Sequence, residues 1–208
     1  LIEGLNEELN TIKTQQIAAL EDKGDNAAVA QILNQRVRSE KLAVKDEKLR
    51  TFIADDGSRN QLVSHIYDVT YGIVQNEVDT IVLIDDSIVR GTTLRDSIIY
   101  ILSKLRPKRI IIVSSAPQIR YPDCYGIDMS RMSEFIAFKA TIDLLQESGQ
   151  QSLIDEVYKL CKEEEQKPLE KMVNHVKKIY EPFTDEEISA RIAKLVTADG
   201  IIPQVDVI

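Results

Sequence analysis

Two adjacent carboxylates, Asp85 and Asp86, close an apolar run at residues 80–84. Behind them comes Ser87-Ile88-Val89-Arg90-Gly91-Thr92-Thr93. A carboxylate pair can grip a diol or a Mg²⁺ ion. The loop suits a phosphate: Gly91 lets backbone come close to a ligand, and the helix that starts near Thr93 offers unpaired amides beside the Thr92 and Thr93 hydroxyls. A ligand with a phosphate at one end and a diol or metal at the other is a ribose 5-phosphate. A phosphate loop of the NTPase type would carry Lys after its glycine, and threonines stand there instead. The Gly-x-Gly-x-x-Gly of dinucleotide sites is absent as well. Asp55 and Asp56 form a second acid pair, but they sit in a turn sequence, Ala-Asp-Asp-Gly-Ser, with no apolar strand before them.

The elements that must hold these groups are legible around them. Residues 80–84 are apolar and β-branched without interruption, the pattern of a parallel strand covered on both faces. The acids then lie at its carboxyl end, where open α/β sheets place ligands. Leu94, Ile98, Ile101, Leu102 and Leu105 keep helical spacing, and after Pro107 a second strand runs through residues 110–115. Strand, helix and strand make a βαβ unit with an expected right-handed crossover.

Residues 1–23 and 27–44 read as two helices forming a hairpin, with Gly24 as C-cap of the first and Asn26 as N-cap of the second. Ser58 is placed to cap a helix through Leu62, Val63, Ile66 and Tyr67. From Ser133 onward the pattern is helical throughout, with a stop at Gly149, a segment over 168–180, and a capping box at Thr184-Asp185-Glu186-Glu187. Glu163, Glu164 and Glu165 read as a solvated face, and His65 and His175 as ordinary helix residues. Arg120 and Tyr125 either wall the pocket or belong to a packed loop. The expected organisation is a helical hairpin at 1–44, an α/β core at 45–132 and a helical region at 133–208.

With 208 residues, 43% of them hydrophobic, the chain can bury one core with a helical extension. A net charge of -8 excludes sequence-independent nucleic-acid binding, which needs a basic surface. Two cysteines, Cys124 and Cys161, give neither a disulfide framework nor a Cys-x-x-Cys pair, which fits a reducing cytoplasm. No apolar run reaches membrane length. The chain opens at Leu1 inside a helical pattern, as a piece of something longer would.

Residues 82–93, Val-Leu-Ile-Asp-Asp-Ser-Ile-Val-Arg-Gly-Thr-Thr, resemble the phosphoribosyl pyrophosphate (PRPP) motif of type I phosphoribosyltransferases. The Ser-Ile-Val-Arg-Gly-Thr-Thr half is the version of the glutamine amidophosphoribosyltransferase family. Arg50-Thr51-Phe52-Ile53 upstream, and Ile119-Arg120-Tyr121-Pro122 with Tyr125-Gly126-Ile127-Asp128-Met129 downstream, resemble two further elements of that family. The likeness covers residues 50–129.

It implies a partial type I phosphoribosyltransferase-like parallel sheet with long helical extensions at both ends. It also implies the transferase half of an enzyme that makes 5-phosphoribosylamine from PRPP and glutamine-derived ammonia, in the first step of purine synthesis. By resemblance, Asp85 and Asp86 bind the ribose hydroxyls and Mg²⁺, and Ser87, Ile88, Val89, Arg90, Gly91, Thr92 and Thr93 hold the 5-phosphate. Arg50, with Lys45 and Lys48 as further candidates, meets the pyrophosphate, because clustered cations suit that charge.

The ammonia implies an N-terminal glutaminase domain in the same full-length chain, and a homo-oligomer is expected. No iron–sulfur cluster is expected, since Asp123 rather than Cys follows Pro122 and the downstream Cys pair is missing. Two alternatives stand beside this reading: a PRPP-binding regulator without catalysis, and a salvage-type base phosphoribosyltransferase, which Arg90 disfavours.

Overall fold

The computed structural model describes residues 2–20, 24–40, 42–45, 67–70, 72–124, 129–198, 200 and 203–208. The chain divides into two units, Leu1–Leu42 and Ala43–Ile208. In the first, helix α1 (Ile2–Ala18) meets α2 (Asn26–Leu33). Lys13, nearly buried, donates to the Leu33 carbonyl at 3.2 Å and so places a cation on the carboxyl end of α2. The N-cap of α2 is Asp25 rather than Asn26, its carboxylate accepting the Ala27 and Ala28 amides. The second helix is also shorter than its apolar pattern: it ends at Leu33, and Val44 lies in a strand.

The second unit opens with an antiparallel pair, β1 (Ala43–Lys45) and β2 (Tyr67–Val69). Tyr67 is therefore extended rather than helical; Leu62, Val63, His65 and Ile66 lie outside the described residues, as do Arg50, Asp55 and Asp56. Then come β3 (Thr80–Asp85), β4 (Arg109–Ser114) and β5 (Gln204–Val207), all parallel, in the order β3-β4-β5. Between β3 and β4 the crossover is a π-helical stretch, Leu94–Ile99, running into α3 (Tyr100–Ser103). The mixed α/β architecture with a partial parallel sheet is as the sequence implies.

Beyond β4 lie α4 (Ile136–Glu147), α5 (Ser152–Glu164), α6 (Lys177–Tyr180) and α7 (Asp185–Val196). Gly149, at φ +71°, takes the left-handed conformation that stops α4. The capping box forms as expected, Thr184 Oγ1 accepting the Glu187 amide and Glu187 accepting the Thr184 amide. Residues 168–180 are not one helix: only a short 3₁₀ turn, Leu169–Lys171, and α6 are regular. The reading of 133–208 as helix throughout also fails at β5, which pairs with β4 through Val205 and Val207.

Ile81, Ile110, Ile112 and Val205 face the core with Leu94, Ile99, Phe135, Ile188 and Val196. A smaller cluster of Leu145, Val157 and Ile179 packs with Phe138 and Phe183. The opposite face of β3 is open: Val82 is 51% and Ile84 47% exposed. The expectation of a strand covered on both faces is thus half met: the face that carries Ile81, Ile110, Ile112 and Val205 is buried, and α7 packs on β5 and on the crossover helix. No helix among the described residues is long and apolar enough to cross a membrane.

Candidate functional site

Asp85 ends β3 opposite Ser114 of β4, and Asp86 begins the loop. Asp85 is half-buried and Asp86 exposed, so neither is turned into the core. Asp85 Oδ1 accepts the Asp86 amide and Asp86 Oδ1 accepts the Ser87 amide, each at 3.0 Å. These bonds hold each carboxylate against the amide of the residue that follows it. Burial, followed by a hydrogen bond with the Asp86 carboxyl group, raises the pKa of Asp85; the Asp86 amide pulls the other way. Two acids held this close are relieved by a cation or by hydroxyl donors.

The loop after them is fixed from three sides. The Ile136 amide, at the start of α4, donates to Val89 O at 2.8 Å. Gly91, at φ +72°, turns the chain against Ile136 and Val196, where an added Cβ would stand 2.3 Å from Ile136 Cδ1. Thr92 and Thr93 are exposed at the helix start, and the first amides of that helix have no intrahelical acceptor. Arg90 turns to Glu134, Nη2 to Oε2 at 2.5 Å, so its charge is engaged by the segment before α4. Ile88 is buried.

The third side escaped the sequence. Ser115 and Ala116 follow β4, and their amides donate to Asp85 O and Asp86 O at 2.9 and 3.0 Å. Ser115 Oγ donates to the same two carbonyls, at 3.2 and 3.1 Å. The signal was present as small residues at the carboxyl end of the neighbouring strand, but only strand pairing says which carbonyls they meet.

Other expected residues are placed elsewhere. Arg120 points at the start of α7: it donates to Gln118 Oε1 at 2.7 and 3.1 Å, pairs with Asp185 and lies 5.1 Å over the Tyr180 ring. It belongs to a packed network rather than to the acids. Tyr125 lies outside the described residues, as does Lys48. Glu164, expected on a solvated face, is 7% exposed and accepts from Lys167 Nζ at 2.6 Å and the Val173 amide at 3.2 Å; His175 Nε2 lies 2.8 Å away. His175 is accordingly half-buried against α5 rather than free on a helix surface.

Among the described residues no three His, Cys, Asp or Glu side chains gather as a metal site. A cation here would rest on the two aspartates, with its other positions filled by ligand oxygens and water. A cavity of about 280 Å³ lies at the carboxyl ends of β4 and β5, between Ile88, Ser114, Pro117 and Ser189. It touches the acid-bearing loop at Ile88.

The fold and this edge define an α/β protein whose acid pair and loop–helix start share the carboxyl end of a parallel strand. Comparison with known proteins says which such protein it resembles: the chain is similar to amidophosphoribosyltransferases. It is 45% identical over 67 residues to the enzyme of Haemophilus influenzae, covering 32% of this chain and 13% of the relative. With that of Bacillus subtilis it shares 36% over 106 residues, 50% of this chain and 22% of the relative. With that of Pyrococcus horikoshii it shares 31% over 142 residues, 66% and 30%. The chain thus spans between 13% and 30% of these relatives' length. No protein-family model matches it. A solved structure of the B. subtilis glutamine PRPP amidotransferase, complexed with ADP and GMP, aligns at 29% identity with a TM-score of 0.39, over 68% of this chain and 32% of that one.

Proposed function

We propose that this chain is the PRPP-binding transferase part of an amidophosphoribosyltransferase, acting in purine synthesis in the cytoplasm. One observation carries the reading. The acid pair and the Gly91 loop are adjacent in sequence, sit at the carboxyl end of a parallel strand, and are held there by bonds from β4 and α4. In this reading Asp85 and Asp86 bind the two ribose hydroxyls. The amides at the helix start and the Thr92 and Thr93 hydroxyls hold the 5-phosphate. Arg50, assigned by sequence resemblance alone, meets the pyrophosphate.

The donor set suits Mg²⁺, which is bound through one or two carboxylates plus substrate phosphates and waters. Asp85 and Asp86 would hold it with the oxygens not engaged by the following amides. Held there, such an ion would supply positive charge to offset that of the pyrophosphate leaving group. The C1–O bond to pyrophosphate breaks while ammonia forms the C1–N bond from the opposite face and loses a proton. Positive charge develops on the ribose ring, and the aspartate pair stabilises it. The ammonia would come from a glutaminase domain of the full-length chain, and the assembly would be a homo-oligomer.

Calorimetric titration of PRPP with Mg²⁺, into this chain and into an Asp85→Asn, Asp86→Asn double variant, tests the reading. Removing one charge-assisted hydrogen bond should cost ~1.5–3 kcal/mol, roughly tenfold to 150-fold in affinity. Equal heats from the two proteins refute the assignment.

A further inference from the structure

We propose that Ser115 is a positioning residue for the acid pair, acting through the backbone of Asp85 and Asp86 and not by touching a ligand. The inference rests on the PRPP reading of that pair and extends it to a residue on the neighbouring strand's exit.

The geometry is specific. Asp85 and Asp86 stand where β3 leaves the sheet, and past that point strand pairing no longer sets the direction of the chain. Two residues of the β4 exit take over. The Ser115 and Ala116 amides each hold one aspartate carbonyl, and the Ser115 hydroxyl bridges both, at 3.2 and 3.1 Å. One side chain therefore fixes the relative rotation of two successive peptide planes. On a chain of alternating direction that rotation sets how far apart the two carboxylates stand. It also sets where the Ser87 amide points, which binds Asp86 Oδ1.

A hydroxyl is the right group for this. It is short enough to follow the backbone closely, and one donor shared between two acceptors resists rotation of either. Ser115 itself is exposed and fills no core position, so packing does not require a serine there. Ser114 differs: its hydroxyl donates to Ala116 O at 2.7 Å and shapes its own turn. The two serines thus divide the work, one bending the β4 exit and the other fastening it to β3.

The test compares the wild-type chain with Ser115→Ala and Ser115→Thr. Hydrogen exchange of the segment carrying residues 85–93 reads the fastening without any ligand. Titration of PRPP with Mg²⁺ reads its consequence. Ser115→Ala should speed exchange of that segment and weaken PRPP binding about threefold to tenfold, the effect of one neutral hydrogen bond. Ser115→Thr, which keeps the hydroxyl, should restore both, and Ser115→Ala should lose no more folding stability than the ~1 kcal/mol of that one hydrogen bond. Unchanged exchange in Ser115→Ala overturns the inference, as does a Thr variant that behaves like the Ala variant. Wild-type protein that takes up no PRPP overturns the functional reading instead, while the exchange data still decide the role of Ser115.

Discussion

Replacing Gly91 by Ala perturbs the loop at its tightest point, and two costs can be worked out. Gly91 sits at φ +72°, a conformation in which an L side chain costs about 1–2 kcal/mol. The new Cβ would stand 2.3 Å from Ile136 Cδ1 and 3.1 Å from Val196 Cγ1. Both neighbours are buried, so the Ile136 methyl cannot swing into solvent and the core around it must move. Overpacking of this kind costs about 1–3 kcal/mol. The expected destabilisation is therefore ~2–5 kcal/mol, measured by urea denaturation as a lower midpoint at constant slope. The two costs can also be separated. Ile136→Val removes the clashing methyl at its own expense of about 0.5–1.5 kcal/mol, and in the Gly91→Ala background it should return most of the overpacking energy. A Gly91→Ala variant less than ~1 kcal/mol below wild type, or an Ile136→Val partner that gives no rescue, would refute this account of why the position is glycine.

The Glu164 cluster predicts an acid sensitivity. Hydrogen bonds from Lys167 and then His175 lower the Glu164 carboxyl to about 2. A depressed carboxylate stabilises the fold above its ordinary range near 4.5 and loses that contribution as pH falls toward 2. Melting curves of wild type and Glu164→Gln should accordingly differ most above pH ~5 and converge on acidification; a constant gap would count against the cluster.

Tyr180 gives the opposite limb. Its phenol, pushed well upward by burial first, stays protonated in the folded state and donates to Arg120 O at 2.9 Å. Stability should then fall as the unfolded phenol ionises above pH ~10, and Tyr180→Phe should flatten that fall at a cost near neutral pH of about 1 kcal/mol. Thr184→Ala should destabilise by ~1 kcal/mol through loss of the α7 cap, seen as a shift in urea midpoint.

The residue order alone determined the strand–acid–loop–helix unit at 80–105, the second strand, and the capping box at Thr184. Each rests on near neighbours: β-branched runs, helical spacing, and a cap three residues from its partner. The likeness to amidophosphoribosyltransferases was legible for the same reason, since its motifs are contiguous. Local pattern failed where distant segments decide. An apolar run records that a strand is fit to be buried, but it does not say whether anything lies over Val82 and Ile84. The β5 sequence is too short to declare itself and becomes a strand because β4 offers it an edge. Glu164 sits among glutamates that look solvated until the chain returns with Val173 and His175. Arg120 is drawn away to Asp185, a partner that no spacing could announce. Above all, the sequence named the acids, while the bonds that fasten them come from Ser115 and Ala116, thirty residues on. Those bonds exist only once two parallel strands have paired.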